Sequence, residues 1–356
     1  MKTVLNFALV GCGRVAQKYF QHLISDPIDG ARLVAICDID EQRAIKSGRK
    51  FDLPWFPNIA DMLSTMGEKV DVVLVLTPSG LHAEQVIEIA EFQKHVVVEK
   101  PMALTLESAD RMIHACDQFG VRLFVVKQNR WNKPVQLLHT AVRQGAFGKL
   151  VMGTVRVRWC RGQAYYDQDA WRGTWKLDGG VFSNQASHHI DLLEWMLGEP
   201  ETVYATARTA LVDIETEDTG VAVVRFRCGA LGVIEATTAA RPKDLEGSLS
   251  ILGERGIVEI GGFAVNELKT WEFEDNVPLQ PISDSSENPP DVYGFGHRAY
   301  IRHVVDSLEN DTPALVDGLE GRKSLELISA IYESIETGQE VALRFRSKHS
   351  RLGADD

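Results

Sequence analysis

One short stretch constrains this chain more than any other. Leu5–Val10 is an apolar run of strand length, and it ends in Gly11-Cys12-Gly13-Arg14-Val15-Ala16, after which a helical pattern runs to about Ile24. A strand that enters a helix through glycines opens a βαβ unit, and such units build parallel sheets covered by helices on both faces. Gly11 permits the tight turn and Gly13 lets the backbone approach a pyrophosphate; Ala16 takes the place of the third glycine. A second apolar run, Leu33–Cys37, ends at Asp38, about twenty residues beyond Ala16. A carboxylate there accepts hydrogen bonds from both ribose hydroxyls of a dinucleotide and repels a 2′-phosphate. Residues 39–41 are Ile-Asp-Glu and add no basic group. The pattern predicts NAD rather than NADP, held by Gly11, Gly13, Arg14, Val15 and Asp38.

The alternation continues through the first third. A helix over about 41–51 and an extended piece near Pro54–Pro57 precede the apolar run 70–76. A helix over 81–92, the run HVVVEKP (95–101), a helix over 105–119 and a strand over 122–126 follow. This is the grammar of an α/β fold, a doubly wound parallel sheet over residues 1–126. Beyond Lys127 the grammar changes. A helix near 134–144 leads to an alternating strand over 150–159, then to a loop rich in arginine and aromatic residues over 160–180. A helix carries SNQASHHIDLLEW (183–195), and strand-like runs succeed one another at 202–211, 220–227, 230–238, 247–252, 256–260 and 267–273. Gly253-Glu254-Arg255-Gly256 reads as a hairpin turn. Residues 127–356 therefore read as an α+β domain with an open, mostly antiparallel sheet. Helices near 293–308 and 318–337 close it, the last packing back on the first domain. The acidic, Pro/Ser-rich 274–291 reads as a surface loop, and the polar last ten residues as frayed.

Composition narrows the function classes. With 356 residues and a net charge of −12, the chain has room for two domains and no overall positive field to draw nucleic acid or anionic lipid. Its five cysteines are scattered without a CxxC pair, so neither a disulfide framework nor a metal site is expected. Neither a signal-peptide layout nor an apolar run of membrane-spanning length is present in the sequence, which reads as cytoplasmic.

Chemistry-bearing residues gather at two places. Glu99-Lys100-Pro101 ends the fifth strand run, and strand C-termini line the ligand crevice of a doubly wound sheet, so Lys100 is expected to face the nicotinamide. Asn184 and His188 lie four apart, on one face of the expected helix and about 6 Å from each other. His189 is turned roughly 100° away, onto the stripe of Leu193 and Met196, and reads as a core residue.

Taken together, GCGRVA, TPSGLH (77–82), EKP (99–101) and GGVFSNQASHHIDLLEWMLG (179–198) resemble the Gfo/Idh/MocA oxidoreductases, which are sugar and polyol dehydrogenases. The resemblance implies that Lys100 and His188 meet around a substrate hydroxyl. A histidine suits the base that takes the O–H proton, and a lysine ammonium stabilises the developing alkoxide. Asn184 falls where the family usually has aspartate, and an amide cannot exchange a proton as a carboxyl does. The same resemblance places Thr77, Pro78, His82, Glu99, Gln128, Trp171 and Arg172 around the cofactor.

KQNRWN (127–132), residues 165–195 and residues 244–273 are more specifically similar to bacterial UDP-N-acetylglucosaminuronate 3-dehydrogenases. That likeness implies oxidation at C3 of UDP-N-acetylglucosaminuronic acid (UDP-GlcNAcA), ahead of a transaminase, in the synthesis of a diamino uronic acid for cell-surface polysaccharide. Arg158 and Arg161 would supply forked donors to the anionic groups, and Tyr165 and Tyr166 would cover a sugar or uracil face. Gln185, Lys243 and His297 complete the expected substrate contacts. UDP-GlcNAc, a free sugar or inositol, and a non-catalytic NAD-binding regulator stand as alternatives. A homotetramer is expected, or else a dimer, built on the alternating apolar residues Val221, Val223, Phe226, Leu231, Val233 and Ile234. 2-Oxoglutarate is a candidate co-substrate for reoxidising NADH in place.

Overall fold

In a computed structural model, residues 4–274 and 296–343 are described. The short β-branched runs of the first third make a six-stranded sheet of β1 (Leu5–Val10), β2 (Ala31–Cys37), β3 (Trp55–Phe56), β4 (Val72–Val75), β5 (His95–Val98) and β6 (Leu123–Val125). The order is β3-β2-β1-β4-β5-β6 and every pair is parallel. Chain order reverses between β1 and β4, which opens a crevice at their C-terminal ends. The covering helices are α1 (Ala16–Phe20, running on through a π-helical turn at Gln21–Ser25), α2 (Glu41–Phe51), α3 (Ile59–Met66), α4 (His82–Glu91) and α5 (Leu106–Gln118). The sequence reading passed over α3. Asn58 caps it by accepting from the Asp61 N–H, and Ile59, Met62 and Leu63 bury its apolar face.

The remainder holds α6 (Lys133–Arg143), β7 (Leu150–Arg158), α7 (Gln163–Tyr166), α8 (Ser187–Leu197), β8 (Pro200–Arg208), β9 (Thr219–Phe226) and β10 (Leu231–Thr237). Next come β11 (Glu246–Gly253), β12 (Gly256–Gly261), β13 (Glu267–Phe273), α9 (Gly296–Glu309), α10 (Gly318–Thr337) and β14 (Val341–Ala342). Their eight strands form one sheet, β13-β12-β11-β7-β10-β9-β8-β14, antiparallel throughout except for the β7–β10 pair. One face packs on α8: Val155, Val224, Ile234 and Leu249 meet Ile190, Leu193 and Leu197. The other face carries exposed Tyr204, Val221, Val223, Leu231 and Ile257. Phe226 and Ile234, expected on that open face, are buried in the core instead, because alternation along β9 and β10 puts them on the α8 side.

The last two long helices tie the halves together, and an arginine network braces the second half. Tyr300, Ile301, Val304 and Val305 of α9 pack with Phe7, Leu9 and Phe124 of the first sheet, while α10 contributes Leu325 to the α5 side and Ile328 and Ile331 to the second core. Arg130, just before α6, sends Nε and Nη2 to Asp191 of α8 at 2.8 Å each and Nη1 to Glu320 of α10 at 2.9 Å. All of the expected 274–291 loop except Glu274, and the expected frayed tail, lie outside the described residues.

Candidate active site

A cavity of about 1160 Å³ runs along the C-terminal ends of β1, β2, β4 and β5. At one end it is lined by Asp38, Arg43, Lys46 and Asn58, in the middle by Gly11, Gly13, Arg14, Val15, Thr77 and Pro78, and at the other end by Glu99, Lys100, Tyr165, Trp171, Arg172, Asp178 and Asn184. The first two groups fit a dinucleotide. Gly11 has φ +95°, and a Cβ there would press on the Leu76 backbone at 3.0 Å. A Cβ on Gly13 would meet nothing within 4 Å, so the backbone stands open to a pyrophosphate. Asp38 is buried and fixed by two N–H donors, Cys12 N to Oδ2 at 2.8 Å and Asp40 N to Oδ1 at 2.9 Å. A carboxylate has about four acceptor positions, so two remain for a ribose diol. Arg43 and Lys46, on the first turns of α2, also line this end; they lie beyond residues 39–41, the stretch that directly follows Asp38 and carries no basic group.

At the far end, Lys100 Nζ donates to the Asn184 carbonyl at 2.9 Å and to Asn184 Oδ1 at 3.2 Å. Burial pushes the lysine pKa down, and the charges of Glu99 and Asp178 oppose that. Asn184 is not on the helix, as its spacing from His188 had suggested. It sits in a turn after Gly179-Gly180, its N–H donating to the Gly180 carbonyl at 2.9 Å, and α8 begins only at Ser187. A Cβ on Gly180 would overlap the Glu217 carboxyl, which is why this turn needs glycine. The Asn184 amide donates through Nδ2 to Asp178 Oδ1, and Asp178 Oδ2 accepts from Gly173 N at 2.7 Å. Burial raises the Asp178 carboxyl to about 6, against the pull of the Gly173 N–H and Lys100. The sequence reading missed Asp178; its only signal is an acidic residue placed directly before Gly-Gly.

His188 lies on the first turn of α8, its Nε2 3.0 Å from Gln128 Nε2. Turning the Gln128 amide over makes its oxygen the acceptor of an Nε2–H and leaves Nδ1 with the lone pair of a base. Burial first, then Lys100 and Lys127, hold the imidazole pKa well below its ordinary value, so it is neutral at neutral pH. Gln128, expected beside the cofactor, is the partner of this histidine, and both lie buried behind the cavity lining rather than in it. His189 is buried edge-on to Trp159, with ring centroids 5.8 Å apart.

The other expected contacts divide. Tyr165, Trp171 and Arg172 line the cavity, the Arg172 guanidinium lying 4.5 and 4.6 Å from the Trp171 and Tyr165 ring centres and bonding the Tyr165 hydroxyl at 2.8 Å. Tyr166 turns inward, its hydroxyl 3.0 Å from Thr238 Oγ1. Arg158 projects from the opposite face of the β7 sheet and is taken up by Glu235 and Glu246, because strand alternation sends it away from α8. Arg161 is held by Asp244 Oδ1 at 2.8 Å, outside the lining. Lys243 is exposed on the loop after β10, and Gln185 is buried off the cavity. His297 is buried behind Glu99, 3.4 Å from its Oε1. His82 is likewise a brace, its ring nitrogens each 2.9 Å from a carbonyl, of Thr77 and of Pro101. Gly80 N donates to the Leu177 carbonyl at 3.0 Å, joining the Thr77–Leu81 loop to the loop before α8. Among the described residues no cluster of metal-ligating side chains occurs, and no helix is long and apolar enough to cross a membrane.

Comparison with known proteins gives a consistent match. A family model described as the oxidoreductase family, NAD-binding Rossmann fold, matches residues 5–127, and one described as the oxidoreductase family, C-terminal alpha/beta domain, matches residues 139–343. The chain is 43% identical to the WlbA dehydrogenase of Bordetella pertussis, solved in complex with NADH and UDP-GlcNAcA, over 97% of this chain and 99% of that one, with a TM-score of 0.88. It is 43% identical to the WlbA dehydrogenase of Chromobacterium violaceum, solved with the same two molecules, over 98% of each chain, with a TM-score of 0.89. A myo-inositol 2-dehydrogenase of Thermotoga maritima is 28% identical over 95% of this chain and 98% of its own length.

Proposed function

This chain is an NAD-dependent sugar dehydrogenase of the Gfo/Idh/MocA oxidoreductase family, and from that premise we propose that it oxidises the C3 hydroxyl of UDP-GlcNAcA to a ketone. The observation that carries the substrate is the full-length likeness at 43% identity to two dehydrogenases solved with that nucleotide sugar. The cavity supports it, because its lining continues past Lys100 to the aromatic and arginine groups of Tyr165, Trp171 and Arg172.

The residues divide the work. When bound, NAD would supply the acceptor for the hydride that leaves C3. Asp38 would hold the ribose of the dinucleotide and the glycine turn its pyrophosphate, in the cavity that runs on to Glu99 and Lys100. The Lys100 ammonium donates to the substrate oxygen and stabilises the alkoxide as it forms. His188, kept neutral by burial and by the cations beside it, accepts the hydroxyl proton. Gln128 orients the imidazole, and Asn184 orients the lysine. The sum is loss of one hydride and one proton from the alcohol, giving the ketone, NADH and a proton. A 3-keto sugar is the substrate a transaminase needs to install an amine, so we place this reaction before such a step, in the cytoplasm, on the way to a polysaccharide precursor.

Assembly and cofactor recycling are part of the same reading. The exposed Val221, Val223, Leu231 and Ile257 share one sheet face and suit a self-complementary contact, so the chain is proposed to form a homotetramer. 2-Oxoglutarate is proposed to reoxidise NADH. The test is a product assay with NAD and either UDP-GlcNAcA, UDP-GlcNAc or myo-inositol, with and without 2-oxoglutarate, read by mass spectrometry. A product two hydrogens lighter from the uronate alone supports the proposal. A product from UDP-GlcNAc or from inositol instead reassigns the substrate.

A further inference from the structure

Asn184 stands where a carboxylate usually faces the active-site lysine of this family, yet the site still holds a buried carboxylate, six residues earlier. Asp178 lines the cavity and is 2% exposed. It reaches Lys100 through one amide. The ammonium donates to Asn184 Oδ1, and Asn184 Nδ2 donates to Asp178 Oδ1. With both ends of the amide engaged, its orientation is set: oxygen toward the cation, nitrogen toward the anion. Gly173 N fixes the second carboxylate oxygen at 2.7 Å, so the anion cannot swing away.

The charged and titratable groups around Lys100 come from every element that meets there. Glu99 follows β5, Lys127 follows β6, Arg172 and Asp178 lie on the loop before α8, and His188 and His189 lie on α8. Most are already matched. Lys127 is held by Asp191 at 3.4 Å and by Ser324, and Glu99 accepts from the Tyr19 hydroxyl and from Lys100 N. Arg172 bonds Asp169. Glu99 is the stronger of the two anionic influences on Lys100, with its oxygens turned to the Tyr19 hydroxyl and the Lys100 backbone N–H; Asp178 is the second, and the one joined to the ammonium through the Asn184 amide. The oxidised nicotinamide ring is itself a cation, and it would favour loss of the lysine proton unless an anion offsets it.

We propose that Asp178 is a second counter-charge of Lys100 beside Glu99, a positioning residue that acts through Asn184 to keep the lysine an ammonium while cofactor and substrate fill the site. The proposal rests on the reading of Lys100 as the group that stabilises the alkoxide. It makes the asparagine at 184 a conductor of orientation rather than a lost proton carrier. Burial raises the Asp178 carboxyl to about 6, so above that pH it carries the charge this role needs.

Two variants test it, Asp178→Asn and the double variant Asp178→Asn/Asn184→Asp, which moves the carboxylate one step closer to the lysine. Protein labelled with ¹³C at lysine Cε, in its NADH complex, gives the titration midpoint of Lys100 by NMR, with the signal assigned by its loss in Lys100→Met. Asp178→Asn should lower that midpoint by about one to two pH units, the size expected on losing a nearby opposite charge. The double variant should restore it. The alkaline limb of kcat/KM for UDP-GlcNAcA should move in parallel. An unmoved Lys100 midpoint in Asp178→Asn, or a double variant that fails to restore it, overturns the proposal. A midpoint that moves while the kcat/KM profile does not upholds the counter-charge and overturns the alkoxide role given to Lys100.

Discussion

Replacing Asp38 by alanine should reverse much of the cofactor choice, and the size of the change can be worked from the site. In the native protein Asp38 is buried, with Cys12 N and Asp40 N donating to it at 2.8 and 2.9 Å. A 2′-phosphate brought to ~4 Å from that carboxylate, at an effective dielectric of about 20, is repelled by roughly 4 kcal/mol per unit of charge. That is a penalty of about a thousandfold on NADP. NAD, in contrast, gains hydrogen bonds from its ribose hydroxyls to a charged acceptor, worth roughly 1.5–3 kcal/mol. Asp38→Ala removes both effects. It should lower kcat/KM for NAD by about 10- to 100-fold, and lower the ratio of NAD to NADP efficiency by about a thousandfold or more. Arg43 and Lys46 line the same end of the cavity and should add to the gain for NADP. The assay is steady-state absorbance of the reduced cofactor at saturating sugar nucleotide. A ratio within about threefold of the native value would refute the electrostatic argument.

Further outcomes follow from the same geometry. His188→Asn should cut kcat by about 10²- to 10⁴-fold while leaving NADH affinity near native by fluorescence titration, because the base is lost and the dinucleotide end is untouched. A base must be neutral to act, and His188 is neutral above a pKa held well below its ordinary 6.5, so the acid limb of kcat/KM should lie below pH 6.5; a limb at 7 or above would count against His188. Gly180→Ala drives a methyl into the Glu217 carboxyl, which also accepts from Phe182 N at 3.1 Å and from the Tyr332 hydroxyl at 2.9 Å. Overpacking of this kind costs about 1–3 kcal/mol, and calorimetry should show Tm lowered by several degrees.

The first sheet could be read from the sequence because its code is local. Each strand is a short apolar run, and GCGRVA and Asp38 mark the crevice through spacing alone. The helix α3 escaped because its apolar face is only Ile59, Met62 and Leu63, between two proline-marked turns and a strand. In the second half the strands were legible, and the turn at Glu254-Arg255 falls between β11 and β12 as expected. Their order was not, since β7 pairs with β10 across some seventy residues and such pairing leaves no mark on either strand alone. Site residues behaved likewise. Lys100 and Asn184 sit at the end of the cavity because a strand end and a glycine turn deliver them. Arg158 was misplaced because chemical type cannot say which sheet face a residue occupies, and its two glutamate partners come from neighbouring strands. Asp178 and the Gln128–His188 contact were invisible because each depends on loops brought together only by the fold.

The central claim, that the hydrogen at C3 of the uronate leaves as hydride, has a direct measurement. UDP-GlcNAcA carrying deuterium at C3 is incubated with the protein and NAD, and the reduced cofactor and sugar are separated and weighed by mass spectrometry. Deuterium in the NADH, with a 3-keto sugar of matching amount, is the result expected from Lys100 and His188 acting on the C3 hydroxyl. A reduced cofactor free of deuterium, with the label kept on the sugar, would contradict it.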